Sequence, residues 1–327
     1  MQSEQLPLAS TAARVFLSPI HTFRGIAVLL VVAYHCLTLF VWQGSALVHD
    51  AILDLVANST VLFVFVSGYL FQHLSQEFSY RRYLARKMEH VVAPYLIVAF
   101  PAVLYTAVLH DPITDYPFLA GTSLGYELLY FYVSGNTQIN YPLWFIPVIG
   151  VFFLLSFAFH QMVRRPLLYT CLVVLLPVAL LAHRPNFPNP NLFHSVLYFM
   201  PVYVLGMFAS QYREQIDPWL DRYLGLLTLA FVALLVAHVL LAGHHGNYNV
   251  HSMFSFEQSF IDWALLQKIA LSFVLLGLLN RYDRAVAGAF RLLGSTAFRS
   301  PTSTLRFEAR GAAFRTCRCF ALSWNSW

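Results

Sequence analysis

Apolar residues fall along this chain in long blocks. They show neither the alternation of a half-buried strand nor the one-sided stripe of a soluble helix. Eight blocks approach the length of a membrane span: residues 25–42, 52–74, 91–109, 143–160, 167–182, 193–210, 219–242 and 261–279. A spanning helix needs about 20 apolar residues, and tilt or interfacial ends absorb the shortfall of the shorter blocks. A ninth block, 124–133, is too short to cross and is expected to be interfacial or re-entrant.

The connections between blocks alternate in character. One set holds Arg81, Arg82, Arg86 and Lys87, then Arg164 and Arg165, then Arg213, then Arg281, Arg284 and Arg291. The other set holds a single arginine, Arg184, among His49, Asp50, Asp111, Asp115, Glu127, His244, His245, His251 and Glu257. Lysine and arginine concentrate in short cytoplasmic loops, so the N-terminus is expected to be cytoplasmic and the first helix to run outward. The pattern predicts an all-α, polytopic transmembrane bundle of about eight helices. Residues 1–23 form a short N-terminal segment, 24–298 the membrane domain and 299–327 a tail.

Composition agrees with the pattern. Of 327 residues, 58% are hydrophobic and only 11% charged, against about 25% charged in soluble domains. The net charge of +5 does not point to nucleic acid. Arg299, Arg306, Arg310, Arg315 and Arg318 against Glu308 contribute +4 of it from the tail alone. That tail has no usable periodicity, and two readings stand: a disordered basic segment, or a frame shift near Phe298 that replaced a last apolar helix. Of the four cysteines, Cys36 and Cys171 lie in apolar blocks, and Cys317 and Cys319 are too few for a zinc site.

Candidate chemistry begins in the first block. From Arg24 to His35 is eleven residues, roughly 16 Å of helix and about three turns, so the two side chains share a face. With Arg24 at one surface, His35 would lie near mid-membrane, where ionisable groups are costly and face the bundle interior or a wet cavity. Neutral imidazole there could take a proton from a hydroxyl nucleophile, or could serve a helix–helix hydrogen bond. Arg81, Arg82 and Arg86 could clamp phosphate groups or simply fix the topology. Ser67-Gly68 suggests close helix packing. Lys268, deep in the last block, costs about 2.5–3.5 kcal/mol to insert and is expected to face a cavity or an acid such as Asp262. Adjacent His244 and His245 lack a third ligand for a metal, and none is expected.

Several stretches resemble segments of the acyltransferase-3 family of integral-membrane O-acyltransferases. Phe23-Arg24-Gly25-Ile26-Ala27 running to Tyr34-His35 is similar to its opening helix, with an arginine, ten residues and a histidine. Phe63-Val64-Phe65-Val66-Ser67-Gly68-Tyr69-Leu70 resembles its second helix. Arg81-Arg82-Tyr83-Leu84-Ala85-Arg86, followed by Pro94-Tyr95, resembles its basic loop and third helix. Pro142-Leu143-Trp144-Phe145-Ile146-Pro147 and Met200-Pro201-Val202-Tyr203-Val204-Leu205-Gly206-Met207 are also similar to family segments. The family has around ten helices and continues past a segment like Gly294-Ser295-Thr296-Ala297-Phe298 into another apolar helix; this chain does not.

The resemblance implies transfer of an acyl group, often acetyl, from acyl-CoA to a hydroxyl of a cell-surface polysaccharide or its lipid-linked precursor, in the cell inner membrane. It implies His35 as base or acyl carrier with Arg24 beside the donor, Arg81, Arg82 and Arg86 on the CoA phosphates, and Ser67, Trp144 and Lys268 toward substrate. A transporter or flippase for a glycan or lipid would also use intramembrane His35 and Lys268, and an inert product is the third reading.

Overall fold

A computed structural model of the chain describes residues 8–37, 39–75, 78–109, 119, 121–135, 144–186 and 191–298; the side chains of 8–18, 109 and 283–298, like the whole tail 299–327, lie outside the described residues. The described residues are almost wholly helical, so the protein is an all-α polytopic bundle. Six stretches are long and apolar enough to cross a membrane, and a seventh counts if a bent pair is one span.

The first is α1 (Leu8–Leu37), whose apolar part is Pro19–Leu37. It therefore begins earlier than the 25–42 block and ends two residues after His35. The second span is broken. Helix α2 (Ala46–Val56) stops at Ala57, Asn58 turns through a left-handed φ of 55°, and α3 (Thr60–Leu74) continues. Asparagine tolerates that conformation better than most side chains. The break lies twelve residues from one end of Ala46–Leu74 and sixteen from the other, near mid-span.

The third span joins α4 (Tyr80–Lys87), a π-helical turn (Met88–Val92) and α5 (Ala93–Leu109). The 124–133 block is α6 (Leu124–Ser134), packed on α5: Tyr95 donates to the Tyr132 carbonyl (2.7 Å) and Tyr132 to that of Leu96 (3.0 Å). The 143–160 block is bent by 53° between α7 (Phe145–Leu154) and α8 (Ser156–Arg164). The 167–182 block is a 3-10 turn (Pro166–Cys171) followed by α9 (Leu172–Ala182), shorter than the other spans. Helices α10 (Leu192–Gln211), α11 (Arg213–Leu241) and α12 (Trp263–Phe298) complete the bundle, the last running well beyond the 261–279 block.

The core is built on α3 and α10, the most intimate pair. Gly68 faces the Tyr203 carbonyl and Gly206 faces that of Phe65, so closely that a Cβ on either would collide with backbone. Small residues permit such approach where lipid supplies no hydrophobic drive between helices. Aromatic rings fill the rest: Phe71, Phe152 and Phe159 surround Tyr203. Polar clasps tie one end of the bundle, where Tyr169 donates to Gln72 (2.7 Å), which meets Gln211, and Asn280 donates to Asp217 (2.9 Å). At the other end a two-residue parallel pair, β1 (Arg184–Pro185) with β2 (Asn249–Val250), joins the loops after α9 and α11.

Candidate active site

Helix α1 runs antiparallel to α3, with Phe23 stacked on Phe65 (6.1 Å) and His35 brought level with the α2–α3 break. There a cavity of about 70 Å³ opens among Tyr34, His35, Asn58, Trp144, Phe145 and Arg184. A void of that measure exceeds the roughly 10–15 Å³ that a single water needs. His35 is in the last turn of its helix, its ring edge-on to Tyr34 at 5.6 Å, and it borders the cavity instead of pointing away from it. Ser59 and Thr60, at the start of α3, line the same space, so the positive end of that helix dipole faces it.

Arg184 reaches the cavity because the backbone around it is pinned. Its N–H donates to the Tyr248 carbonyl (3.2 Å) and that of Asn186 to Val250 (2.8 Å), completing the β1–β2 pair. His194 Nε2 lies 2.9 Å from the carbonyls of both Ala182 and His183, fixing the end of α9. His183 is wholly buried with φ 56°, and that turn directs the next residue inward. Such backbone outliers cluster at functional sites. The guanidinium lies over the Trp144 ring, 4.9 Å from its centroid, and Trp144 stacks in turn on Phe199 (5.7 Å). Burial pushes Arg184 below its ordinary value, and the fields of Tyr198, Tyr34 and Asp262 pull it back; a group that starts so high stays protonated.

Behind the cavity wall runs a directed hydrogen-bond chain. Asn58 Nδ2 donates to the Tyr198 hydroxyl (2.6 Å), and that hydroxyl donates to Asp262 Oδ2 (2.7 Å). The other oxygen of Asp262 accepts the Leu265 N–H (2.8 Å) and starts α12. Burial pushes this carboxyl up, against those hydrogen bonds and the charges of His183 and Arg184. Tyr34 is held as well, since its hydroxyl accepts from Asn247 Nδ2 (2.8 Å).

The predicted site residues separate into groups. His35 and Trp144 share the cavity. Arg24 is half-buried at the opposite end, where it feels the charge of Lys87, whose ammonium sits 5.4 Å from the rings of Tyr83 and Phe153. Arg81, Arg82 and Arg86 project from α4 into the open at that end, the last two one turn apart on one face. Ser67 is buried beside the Gly68–Gly206 crossing, one turn below cavity-lining Phe63. Between α1, α3 and α12 the rings of Phe23, Phe65 and Phe273 pack together, the last pair 5.5 Å apart.

Lys268 does not reach the cavity. It is fully buried and donates to the carbonyls of Asp54 (3.1 Å) and Leu55 (2.9 Å) and to Gln267 (3.3 Å), in place of the expected contact with Asp262. A cation at a helix C-terminus satisfies carbonyls that have no partner within the helix. The Asp54 side chain, also fully buried, takes His245 Nδ1 (2.9 Å) and the Gly246 N–H (2.7 Å), so His245 belongs to a clasp holding the β2 loop on α2, while His244 Nε2 lies 3.0 Å from the Asn247 carbonyl. Sequence reasoning missed Arg184, Asn58 and Tyr198 as site residues. Arg184 carried a signal, as the lone arginine among the acidic and histidine-bearing connections.

No curated protein and no solved structure matches the chain. A family model described as an acyltransferase domain matches residues 19–298, which takes in every element that builds the cavity and the basic helix α4. The chain therefore belongs to the acyltransferase-3 family, and its general activity is acyl transfer.

Proposed function

We propose that the chain moves a short acyl group, acetyl in the first place, from acyl-CoA to a hydroxyl of a cell-surface polysaccharide or its lipid-linked precursor. The observation that carries this reading is the small mixed cavity in which His35, in the last turn of α1, meets Arg184 and Trp144 beside the α2–α3 break. A short acyl group and one hydroxyl suit a space of about 70 Å³. On this reading the protein lies in the cell inner membrane with its N-terminus and α4 in the cytoplasm. Arg81, Arg82 and Arg86 would bind the CoA phosphates through paired guanidinium bonds, and Arg24 would neutralise the donor where it enters the bundle.

His35 takes the proton of the acceptor hydroxyl while the oxygen attacks the thioester carbonyl; the alternative, in which His35 carries the acyl group between donor and acceptor, uses the same geometry. Holding both reactants side by side supplies much of the rate through proximity. The aromatic packing between α1, α3 and α12 must part to admit the thioester arm, since roughly 16 Å of helix separates Arg24 from His35. Export of a glycan is less favoured, because the burial of Lys268 is explained by its backbone partners and does not call for a transport path.

The test is mass analysis of surface polysaccharide from cells with the gene, without it, and with His35→Ala. Acyl groups are expected to vanish in the last two while the glycan still reaches the surface. If His35→Ala stops glycan export and leaves the residual glycan normally acylated, the chain is a transporter and the proposal fails.

A further inference from the structure

Arg184 belongs to neither the basic helix nor the arginine–histidine pair of α1, yet it is the cation nearest the proposed chemistry. We propose that Arg184 holds the carbonyl oxygen of the transferred acyl group, as the oxyanion-stabilising residue of the cavity that it shares with His35. The assignment rests on the acyl-transfer reading above and adds the second half of its catalytic apparatus.

Four observations converge. The half-buried guanidinium makes no ion pair and no hydrogen bond among the described residues, so its N–H edge faces the cavity without a protein partner there. Its natural counter-ion, Asp262, is engaged by Tyr198 and the Leu265 N–H, so the acid tempers the charge from behind the wall without occupying the N–H edge. The flat stack on Trp144 and the pinned β1 strand hold the fork in place before any ligand arrives. The first residues of α3 bring a helix N-terminus to the same space, which adds a second positive pole. Preorganised donors of this kind act on charge that develops in the transition state.

His35 removes the acceptor proton, and the hydroxyl oxygen forms a bond to the thioester carbon. The carbonyl π pair moves onto oxygen, where Arg184 meets it. The pair returns, the C–S bond breaks, and the thiolate takes the proton from His35 to leave as the free thiol. A second anionic group on the acceptor is the rival ligand for Arg184, and the two acceptor probes below separate it from the acyl carbonyl.

The experiment uses the full chain in nanodiscs, with labelled acetyl-CoA and two acceptor probes, dodecyl glucoside and dodecyl glucuronide. For Arg184→Gln, kcat is expected to fall about 10²- to 10³-fold on both probes, the usual cost of one oxyanion donor, with the KM values for acetyl-CoA and acceptor within about twofold. Arg184→Lys, which keeps the charge but not the fork, is expected to fall in between. If Arg184→Gln does not elute as a single folded species, Arg184→Lys decides alone: a kcat at least about tenfold down upholds the assignment, and a kcat near wild type overturns it. A loss confined to the KM of the glucuronide overturns it and makes Arg184 a reader of acceptor charge. If the wild type transfers acetyl to neither probe nor to water, the functional reading itself fails, and this assignment with it.

Discussion

Lys268 is fully buried and Arg184 half-buried in this bundle, and their surroundings are opposite. Lys268 has its three donors directed at two backbone carbonyls and an amide oxygen, where it closes the buried end of α2. Arg184 has a ring beneath it, an engaged acid behind it and an open cavity before it. A buried ion with complete partners holds helices in register. On the proposed reading, Arg184, whose edge meets no partner among the described residues, serves a ligand.

Substitutions can break or sharpen that contrast. The largest effect belongs to the cavity. His35→Ala should lower kcat for acetyl transfer by about 10²- to 10⁴-fold, the range for loss of a general base, and leave the thermal midpoint nearly unchanged. A collapse of the folded peak in size-exclusion chromatography would show that the ring is structural. Next comes Lys268→Met, which orphans the carbonyls of Asp54 and Leu55 and should cost about 3 kcal/mol of stability, read as a lowered melting midpoint. The folded fraction should keep near-normal KM and kcat. A stable Lys268→Met protein without activity would erase the distinction between the two cations.

Gly68→Ala tests the scaffold from its other side. Overpacking at the α3–α10 crossing should destabilise by about 1–3 kcal/mol, seen as reduced yield and a lower midpoint. The smallest effect is expected at the basic end. Arg82→Gln with Arg86→Gln should raise the KM for acetyl-CoA about tenfold, roughly 1.4 kcal/mol, with kcat preserved. The wild-type KM should itself rise with salt, because these side chains are exposed.

Much of the architecture was legible as hydrophobic blocks, since lipid demands long apolar helices and satisfied backbones. Boundaries were less legible. Helix α1 ends at Leu37, not at Trp42, and the second span breaks at Asn58, because tertiary partners such as Lys268 can terminate a helix inside an apolar run. The cavity was half legible. His35 and Trp144 could be picked out as a polar or aromatic residue at a telling position, but their meeting depends on how α1 and α7 dock on α3. Arg184 was visible only as an exception to the charge alternation, and its stack on Trp144 spans forty residues of sequence that no local pattern connects. Lys268 was read as a clue to function for the sound reason that its depth is costly; its backbone partners emerge only in three dimensions.

The glycine crossing bears on how a donor could ever reach the imidazole. With Gly68 and Gly206 pressed against opposing carbonyls, α3 and α10 cannot slide or roll past each other without breaking steric register, so they travel as a single beam. That beam carries Phe65 on one flank, while Phe23 rides on α1 and Phe273 on α12. Parting the three rings therefore falls to the two outer helices. On the proposed reading, any share of that motion taken by α1, the rod that bears Arg24 and His35, would couple uptake of the donor to re-aiming of the base.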